Sequence, residues 1–292
     1  MDAPKAQGRR VDQKLRNLIR AKKGRSNMDY KKILAATAAV IGTVAMAEGI
    51  VSSSVVGYAT DTVAKGKFAI KSLGFENVSD ASTDVNDILK GFTGVNFDEN
   101  YDFQKTAPQI QVLNSNGTYT RYFYLNDGYV DDETFVEGWC DSSGTLVDLD
   151  ITPGTAFWVT VPGEDTATTA AGAVSSEPSV DVDIPAEKFT LLGNAFPIAV
   201  TLNSAGFTSE DISGVDFDEN YNFQKTAPQI QVLNSNGTYT RYFYLNDGYV
   251  DDETFVEGWC DSSGTLVTDA TIPVGAGFWI KSGAAMTATF NK

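Results

Sequence analysis

The chain has 292 residues, of which 42% are hydrophobic, and it contains two cysteines and no histidine. That apolar content is sufficient for one large domain or two domains of ordinary size. The absence of histidine excludes Ser-His-Asp and Cys-His nucleophile systems, histidine acid–base catalysis and histidine metal ligands. Two cysteines cannot by themselves complete a structural zinc site or make a disulfide-rich scaffold.

The net charge of −16 combines two segments of opposite sign. Residues 1–47 carry 11 Lys and Arg against 3 Asp, a charge of +8, whereas the remaining residues carry 11 against 35, a charge of −24. A surface this acidic repels DNA, RNA and anionic membranes, so no nucleic-acid partner is expected. Plausible partners are cations, neutral glycans, basic surfaces and other copies of the chain.

The basic N-terminal segment has the pattern of a targeting sequence. Lys31 and Lys32 precede the apolar run Ile33–Ala47, which ends in the small-x-small cleavage pattern Ala-Met-Ala. This run is shorter than a usual membrane-spanning helix, and the pattern predicts a signal peptide over residues 28–47 with cleavage after Ala47. Residues 1–27 are then a basic extension or the result of a start upstream of Met28; a nucleic-acid-binding arm is the less favoured alternative. We therefore expect a secreted or cell-surface protein with no membrane span after cleavage.

A long internal repeat determines the organisation of the acidic part. Gly94–Val147 and Gly214–Val267 are the same 54 residues, except that Asn96 and Asp102 are replaced by Asp216 and Asn222. Weaker similarity extends on both sides, for example from Phe157-Trp158-Val159 to Phe278-Trp279-Ile280. We therefore predict a repeat 1 over residues 52–162 and a repeat 2 over residues 184–290. Residues 163–183 are rich in Ala, Thr, Ser and acid, and their composition is typical of a linker.

Within each repeat the pattern is that of β-hairpins. In repeat 1, Gln109–Leu113 alternates polar and apolar residues before an Asn116-Gly117 turn, and the aromatic run Tyr119–Leu125 follows. Asp127-Gly128 predicts a second turn, and Phe135–Val147 predicts a third hairpin around Asp141–Gly144. Ala156–Val161 is a further strand, with Trp158 in the core.

Helical periodicity is weak, and its best stretch is Ser82–Lys90, where Ser82 could cap a short helix. The fold class expected is therefore mostly β: two tandem β-sandwich or small-barrel domains after a signal peptide, each with at most one short helix.

Several short motifs of repeat 2 form a recurring pattern: Leu191–Pro197 (LLGNAFP), Gly258-Trp259 and Ile272–Ile280 (IPVGAGFWI). The pattern resembles the β-modules of secreted and surface proteins in Verrucomicrobia-like and Bacteroidetes-like bacteria, a largely uncharacterised group. The resemblance implies a secreted bacterial β-protein and assigns no activity. Repeat 1 departs from the pattern, with Ser72-Leu73-Gly74-Phe75 in the corresponding place.

Acidic loops are the first candidate sites. Carboxylates clustered on loops could supply the six to eight oxygens that calcium prefers, although no EF-hand spacing is present. The alternative is a solvated acidic surface that keeps the protein soluble. No cofactor is required by the sequence, and calcium is the ion that these loops could hold. The candidate ligands are Asp98, Asp102, Asp127, Asp131, Asp132, Asp218, Asp247, Asp251 and Asp252.

Aromatic residues are the second candidate. Alternation along the strand places Tyr122 and Tyr124 on one face, and Arg121, Phe123 and Leu125 on the other. An exposed Tyr face could stack against sugar rings, whereas buried packing is the more common fate of such strands. The candidate glycan-binding residues are Tyr122, Tyr124, Trp139, Tyr242, Tyr244 and Trp259.

Cys140 and Cys260 hold the same position in the two repeats, so neither repeat can form an internal disulfide. Pairing between repeats, pairing between chains and free thiols all remain open at the level of sequence.

The function expected is a non-catalytic structural or adhesive protein that acts by self-association or by binding an extracellular glycan or surface. Tandem copies suit avidity, and β-rich modules offer edges for assembly. A tandem carbohydrate-binding module is the alternative. A carboxylate-dependent glycoside hydrolase is the third hypothesis, because two acids about 5–10 Å apart would serve it.

Overall fold

The computed structural model describes residues 55–131, 134–202, 207, 212–251 and 254–292. The mostly-β prediction is confirmed, because strands dominate and the helices are single turns. The elements of repeat 1 are β1 (Val56–Val63), β2 (Phe68–Ser72), α1 (Val85–Ile88), β3 (Leu89–Lys90), α2 (Phe103–Thr106), β4 (Gln109–Leu113), β5 (Tyr119–Asp131), β6 (Thr134–Cys140), β7 (Ala156–Thr160) and β8 (Thr166–Ala173). Those of repeat 2 are β9 (Ser179–Ile184), β10 (Phe189–Gly193), β11 (Val200–Thr201), α3 (Phe223–Thr226), β12 (Gln229–Leu233), β13 (Tyr239–Asp251), β14 (Thr254–Cys260), β15 (Thr271–Ile272), β16 (Gly277–Lys281) and β17 (Met286–Asn291).

Each repeat is built around a five-stranded antiparallel sheet with the same strand order. The order is β2-β7-β4-β5-β6 in repeat 1 and β10-β16-β12-β13-β14 in repeat 2. Within the described ranges each of these sheets keeps two edge strands and does not close on itself. Smaller sheets, β1-β8-β3, β9-β17 and β11-β15, complete the fold. Both repeats lie within one compact unit, residues 53–292.

The predicted Asn-Gly hairpin is confirmed in both copies. β4 pairs with β5, and the turn closes through a 2.8 Å hydrogen bond from the Asn114 N–H to the Thr118 carbonyl. Gly117 takes a φ of +83°, a left-handed conformation that glycine adopts without steric cost. The turn at Asp141–Gly144 is also present, because the Gly144 N–H donates to the Asp141 carbonyl over 3.1 Å.

The second predicted turn, at Asp127-Gly128, is wrong. β5 runs through both residues and pairs with β6 on either side, with a register shift between Leu125 and Gly128. The site is therefore a β-bulge, a distortion that uses the same small and acidic residue types as a turn. The bulge turns the Asp127 carboxylate toward the Phe97 N–H, which donates to it over 2.6 Å.

The segment expected to be a linker is mostly strand. Within residues 163–183, β8 pairs along its whole length with β1 of repeat 1, whereas β9 pairs with β17 of repeat 2. Each repeat thus begins and ends with paired strands, and only residues 174–178 join them. The linker prediction is wrong because the buried face of β8 consists of small residues such as Thr168 and Ala170. Larger apolar residues at these positions would have indicated a strand.

The predicted helix at Ser82–Lys90 is present in part, as α1 over Val85–Ile88. Its cap is Asp84, whose side chain accepts from the Asn86 N–H over 2.9 Å. Repeat 1 also contains α2, so the expectation of at most one short helix is wrong for that repeat. In the described part of the chain, no helix is long and apolar enough to cross a membrane.

The middle of each large sheet is covered on both faces. On β5, Phe123 and Leu125 pack into a small cluster with Phe103 of α2. On the opposite face, Tyr122 and Tyr124 pack against the main core of repeat 1. The alternation predicted from the sequence is therefore correct, and each of its two faces has a core of its own.

The two repeats meet at a symmetric contact, which we call the seam. The Ser72 N–H at the end of β2 donates to the Gly275 carbonyl over 2.9 Å, and the Gly193 N–H at the end of β10 donates to the Gly154 carbonyl over 2.9 Å. Ser72 is equivalent to Gly193, and Gly154 to Gly275, because both pairs are 121 residues apart. The seam is therefore isologous, like the interface of a two-fold symmetric dimer.

Side chains from both repeats fill the seam. Ile70 and Ala156 of repeat 1 and Leu191 of repeat 2 form a buried cluster, against which the half-buried Trp158 and Trp279 pack. The centroids of the two indole rings are 6.5 Å apart. Gly277 keeps the seam closed, because a Cβ there would lie 2.4 Å from Ile70 Cγ2.

Candidate functional site

The aromatic face predicted to bind glycans lies against the protein core. Its members are Tyr122, Tyr124, Trp139, Tyr242, Tyr244 and Trp259. Trp139 and Trp259 have no exposed surface, and Tyr244 keeps 3% of its own. The other three tyrosines are half-buried and pack against or beside the same cores. The structure therefore shows buried packing, the more common of the two alternatives, and these six residues do not form an exposed glycan-binding face.

Two tryptophans expected in the core are instead half-buried. Trp158 on β7 and Trp279 on β16 lie at the seam, where the sheet of each repeat packs against the other repeat. Phe68 packs edge-on against Trp158, and Phe189 packs the same way against Trp279. The two tryptophans are half-buried because of contacts between segments that lie far apart in sequence.

The predicted calcium ligands Asp98 and Asp218 are bound to backbone instead. Both oxygens of Asp98 accept, over 2.8 Å each, from the N–H groups of Asp102 and Phe103, where α2 begins. Asp218 does the same at the start of α3. These carboxylates hold the first turn of a short helix, a common role of Asp next to unpaired backbone N–H groups.

The remaining predicted ligands are dispersed. Asp127 and Asp247 bind the backbone N–H groups of Phe97 and Phe217 across the bulges. Asp102 is exposed and pairs with Lys105 over 2.9 Å. Asp131 is exposed at the end of β5. Asp132, Asp252 and the side chain of Asp251 lie outside the described residues.

No set of three or more carboxylate or thiol side chains comes together as a metal site in the described part of the chain.

The two disulfide candidates, Cys140 and Cys260, are free, buried thiols, so the structure shows the free-thiol alternative of those that the sequence leaves open. Each points into its own repeat, in the cluster that holds Phe103 or Phe223. Burial, with a smaller contribution from Asp141, raises the pKa of the Cys140 thiol to about 12. Burial and Asp261 raise the pKa of Cys260 to about 12 as well. Both thiols are therefore protonated and shielded from oxidants at neutral pH.

Asp84 is an acid whose pKa is raised, mainly by burial. A buried carboxylic acid of this kind would suit the general acid of a glycoside hydrolase. Its Oδ1 atom, however, accepts from the N–H groups of Asn86 and Leu149, at 2.9 and 3.2 Å. The side chain therefore caps α1 and ties it to the loop before β7.

A different set of aromatic residues does reach the surface, and we call it the aromatic strip. In repeat 1 it consists of Tyr101, Phe97, Tyr129 and Phe135, whose ring centroids follow one another at 6.2, 4.9 and 5.0 Å. Tyr101 and Phe135 form its two ends and are 47% and 52% exposed.

Repeat 2 carries the same strip. Its members Tyr221, Phe217, Tyr249 and Phe255 have successive centroid distances of 6.2, 4.7 and 4.9 Å. The end residues Tyr221 and Phe255 are 47% and 50% exposed. The protein thus presents one aromatic surface twice.

Tyr101 and Tyr221 are held in an unusual backbone conformation. Their φ values are +59° and +57°, in the left-handed region that a bulky residue enters only at a cost of about 1–2 kcal/mol. The Tyr101 N–H donates to the Asp98 carbonyl over 3.0 Å, and its own carbonyl accepts from the Gln104 N–H. Glycine or asparagine would fit this turn with less strain, and the Tyr101 ring offsets part of that cost by packing beside Phe97 and Phe103, at centroid distances of 6.2 and 5.9 Å.

Exposed acidic residues flank the strip of repeat 1. Glu99 and Asp102 stand on either side of Tyr101 in the sequence, and Asp131 follows Tyr129 by two residues. The strip is therefore apolar along its centre and negatively charged near its ends. Such a surface favours contact with apolar groups and makes that contact sensitive to ionic strength.

The comparisons with known proteins give no relative: no family model matches the chain, and neither a curated protein nor a solved structure matches it.

Proposed function

We propose that the chain is an exported, non-catalytic structural or adhesive protein whose two aromatic strips join copies of it outside the cell. The observation that carries this proposal is the presence of the same exposed aromatic surface on both repeats of one compact unit. Exposed aromatic ladders of this kind are costly in water unless a partner covers them. A second copy of the chain offers the same exposed rings, and aromatic rings pack favourably on one another.

The arrangement of the strips implies the form of the assembly. The seam already uses the symmetric contact between repeats, so it is closed within each chain. A molecule that has two further, identical contact surfaces can bind one neighbour through each of them. Contacts between strips then give an open chain of molecules, as expected of a structural or matrix protein.

Charge is expected to control this assembly. The segment after residue 47 carries a charge of −24, so copies repel one another when few ions are present. The Debye length falls from about 30 Å at 0.01 M salt to about 3 Å at 1 M. Association through the strips should therefore increase with ionic strength.

The proposal is tested by removing the strips one at a time. Phe135→Ser and Phe255→Ser each delete the exposed end of one strip, on a side chain that is half exposed and adds little to the core. In static light scattering at high salt, the unchanged protein should form long assemblies. Each single variant should stop at dimers through its intact strip, and the double variant should stay monomeric. Assemblies of unchanged size in the double variant would disprove the proposal.

Export is the second part of the proposal, and its support is the sequence alone. A basic region before Ile33–Ala47 and the Ala-Met-Ala pattern favour a signal peptide over residues 28–47. The similarity of Leu191–Pro197 and Ile272–Ile280 to surface modules of bacteria points to the same location. A mass spectrum of the protein isolated from the medium or cell surface should begin at Glu48. A mass that includes residues 28–47 would contradict cleavage.

A further inference from the structure

A cleft opens between the two repeats beside the seam, and none of the residues that line it belongs to the aromatic strips. Its volume is about 440 Å³, within the range of about 300–1,000 Å³ that is usual for small-ligand sites. Repeat 1 contributes Phe68 and Trp158 to its wall, and repeat 2 contributes Tyr239. Tyr119 completes a lining in which four aromatic rings come from two separate sheets.

The aromatic rings of the cleft are both accessible and held in place. Phe68 and Tyr119 are 49% and 39% exposed, and Trp158 is half-buried. The Phe68 ring meets the Trp158 indole edge-on, with centroids 5.9 Å apart. On the other wall, burial raises the pKa of Tyr239, and the Trp279 side chain lies beside its hydroxyl. Because these neighbours fix the rings, a ligand would find a platform that is already ordered.

The polar part of the lining is neutral or basic. It includes the amide of Gln111, the hydroxyl of Ser235 and the ammonium group of Lys67. The Gln111 amide donates to Gln109 Oε1 over 3.1 Å, which orients it on β4. Among the described residues no carboxylate lines the cleft, although the segment after residue 47 carries a charge of −24. The cleft is thus an acid-free area on an acidic protein, and it is unsuited to a cation.

We propose that this cleft binds one or two units of a neutral oligosaccharide. The apolar face of a sugar ring packs on aromatic side chains, while its hydroxyl groups need donors and acceptors such as Gln111, Ser235 and Lys67 supply. A purely apolar ligand would leave these groups without partners, and a basic peptide would meet Lys67. The site exists only where both repeats meet, so it is a product of the duplication. It is separate from the aromatic strips, and the inference does not rest on association between copies.

The duplication also supplies a matched control. Phe189 is the equivalent of Phe68 in repeat 2, packs against Trp279 as Phe68 packs against Trp158, and is 43% exposed. Only Phe68 of the two lines the cleft. Phe68→Ser and Phe189→Ser therefore remove the same ring from similar surroundings, and a general effect on stability would influence both alike.

The test is a titration of the full chain with soluble cello-, xylo-, manno-, malto- and chito-oligosaccharides, followed by tryptophan fluorescence and calorimetry. We expect at least one series to bind with a Kd of about 1 mM or tighter. Phe68→Ser should weaken that binding about tenfold. Phe189→Ser should leave it unchanged, as should the double variant Phe135→Ser with Phe255→Ser.

Three results would overturn the proposal. The first is the absence of binding by every series. The second is a Kd that Phe68→Ser leaves unchanged. The third is an equal loss of binding in Phe68→Ser and Phe189→Ser, which would place the sugar elsewhere. None of these results depends on whether copies of the chain associate.

Discussion

The backbone N–H of Ser72 donates a 2.9 Å hydrogen bond to the carbonyl of Gly275, and so joins the first repeat to the second. Its symmetric counterpart runs from Gly193 to Gly154. Two-fold contacts of this kind normally relate separate subunits of a dimer. Here the short connection over residues 174–178 holds both halves in one chain, so the seam forms at a high effective concentration and at a lower entropic cost than a contact between separate chains.

The seam depends on the absence of a side chain at Gly277. A Cβ there would lie 2.4 Å from Ile70 Cγ2 and 2.5 Å from Ala156 Cβ, so Gly277→Ala must push the repeats apart locally. We expect this change to lower the free energy of unfolding by about 1–3 kcal/mol, as measured by urea denaturation. Gly163→Ala is the control, because nothing lies within 4 Å of a Cβ at that position. Equal urea midpoints for the two variants would mean that the seam is not tightly packed.

The duplicated tryptophans provide a second comparison. Trp139 and Trp259 are both fully buried. The Trp259 Nε1 donates to the Phe207 carbonyl over 2.9 Å, whereas the Trp139 Nε1 has no hydrogen-bond partner among the residues that the structure describes. Trp259→Phe breaks this hydrogen bond, and Trp139→Phe breaks none. Trp259→Phe should therefore cost about 1 kcal/mol more in the free energy of unfolding. The comparison fails if Trp139→Phe proves the more costly change.

Local features of the fold could be predicted from the sequence, whereas contacts between distant segments could not. The Asn116-Gly117 turn and the alternation through Tyr124 predict the β4–β5 hairpin and its two faces correctly, because hairpin geometry is local. The sequence does not reveal that both faces are covered, since Phe103 arrives from another segment. For the same reason Trp158 is predicted in the core, although it lies at the seam.

The candidate site was harder to predict than the hairpins. The sequence indicates Tyr122 and Tyr124 because they alternate along a regular strand, but the face of such a strand that carries large aromatic residues usually packs against a core, as it does here. The exposed residues Tyr101 and Phe135 stand in a loop and at a hairpin end, where no periodicity marks them. The left-handed backbone of Tyr101 likewise becomes visible only in the structure.

The acidic residues at the helix starts make a third prediction. Asp98 and Asp218 each accept two backbone N–H groups, so Asp98→Ala and Asp218→Ala should each lower the free energy of unfolding by about 1 kcal/mol. Because this role needs no ion, millimolar calcium should leave the melting temperature of all three proteins unchanged. Asp102→Asn is the control, since repeat 2 already has Asn222 in that place. Stabilisation by calcium that disappears in Asp98→Ala would instead support a metal site.

The buried thiols predict how stability changes at high pH. The ordinary pKa of a cysteine thiol is 9.0, and burial raises the pKa of Cys140 and of Cys260 to about 12. Below pH 9 the thiols are protonated in both the folded and the unfolded chain, so their contribution to stability is complete. Between about pH 9 and 12 only the unfolded chain releases these protons, and the free energy of unfolding therefore decreases with pH.

The double variant Cys140→Ala with Cys260→Ala isolates this effect from the titration of tyrosine and lysine. Its free energy of unfolding should decrease less steeply between about pH 9 and 12 than that of the unchanged protein. In addition, a thiol reagent at pH 8 should react with the unchanged protein only after urea unfolds it. Rapid reaction of the folded protein would show that the thiols are accessible.

Assembly through the two aromatic strips is the central claim, and sedimentation velocity of the unchanged protein tests it most directly. With two contact surfaces per molecule, the average mass should increase with protein concentration and reach no plateau at about 1 M salt. At about 0.01 M salt, where the charge of −24 is poorly screened, the protein should sediment as a monomer. A mass that stays at one chain, or stops at two, under both conditions would contradict the claim.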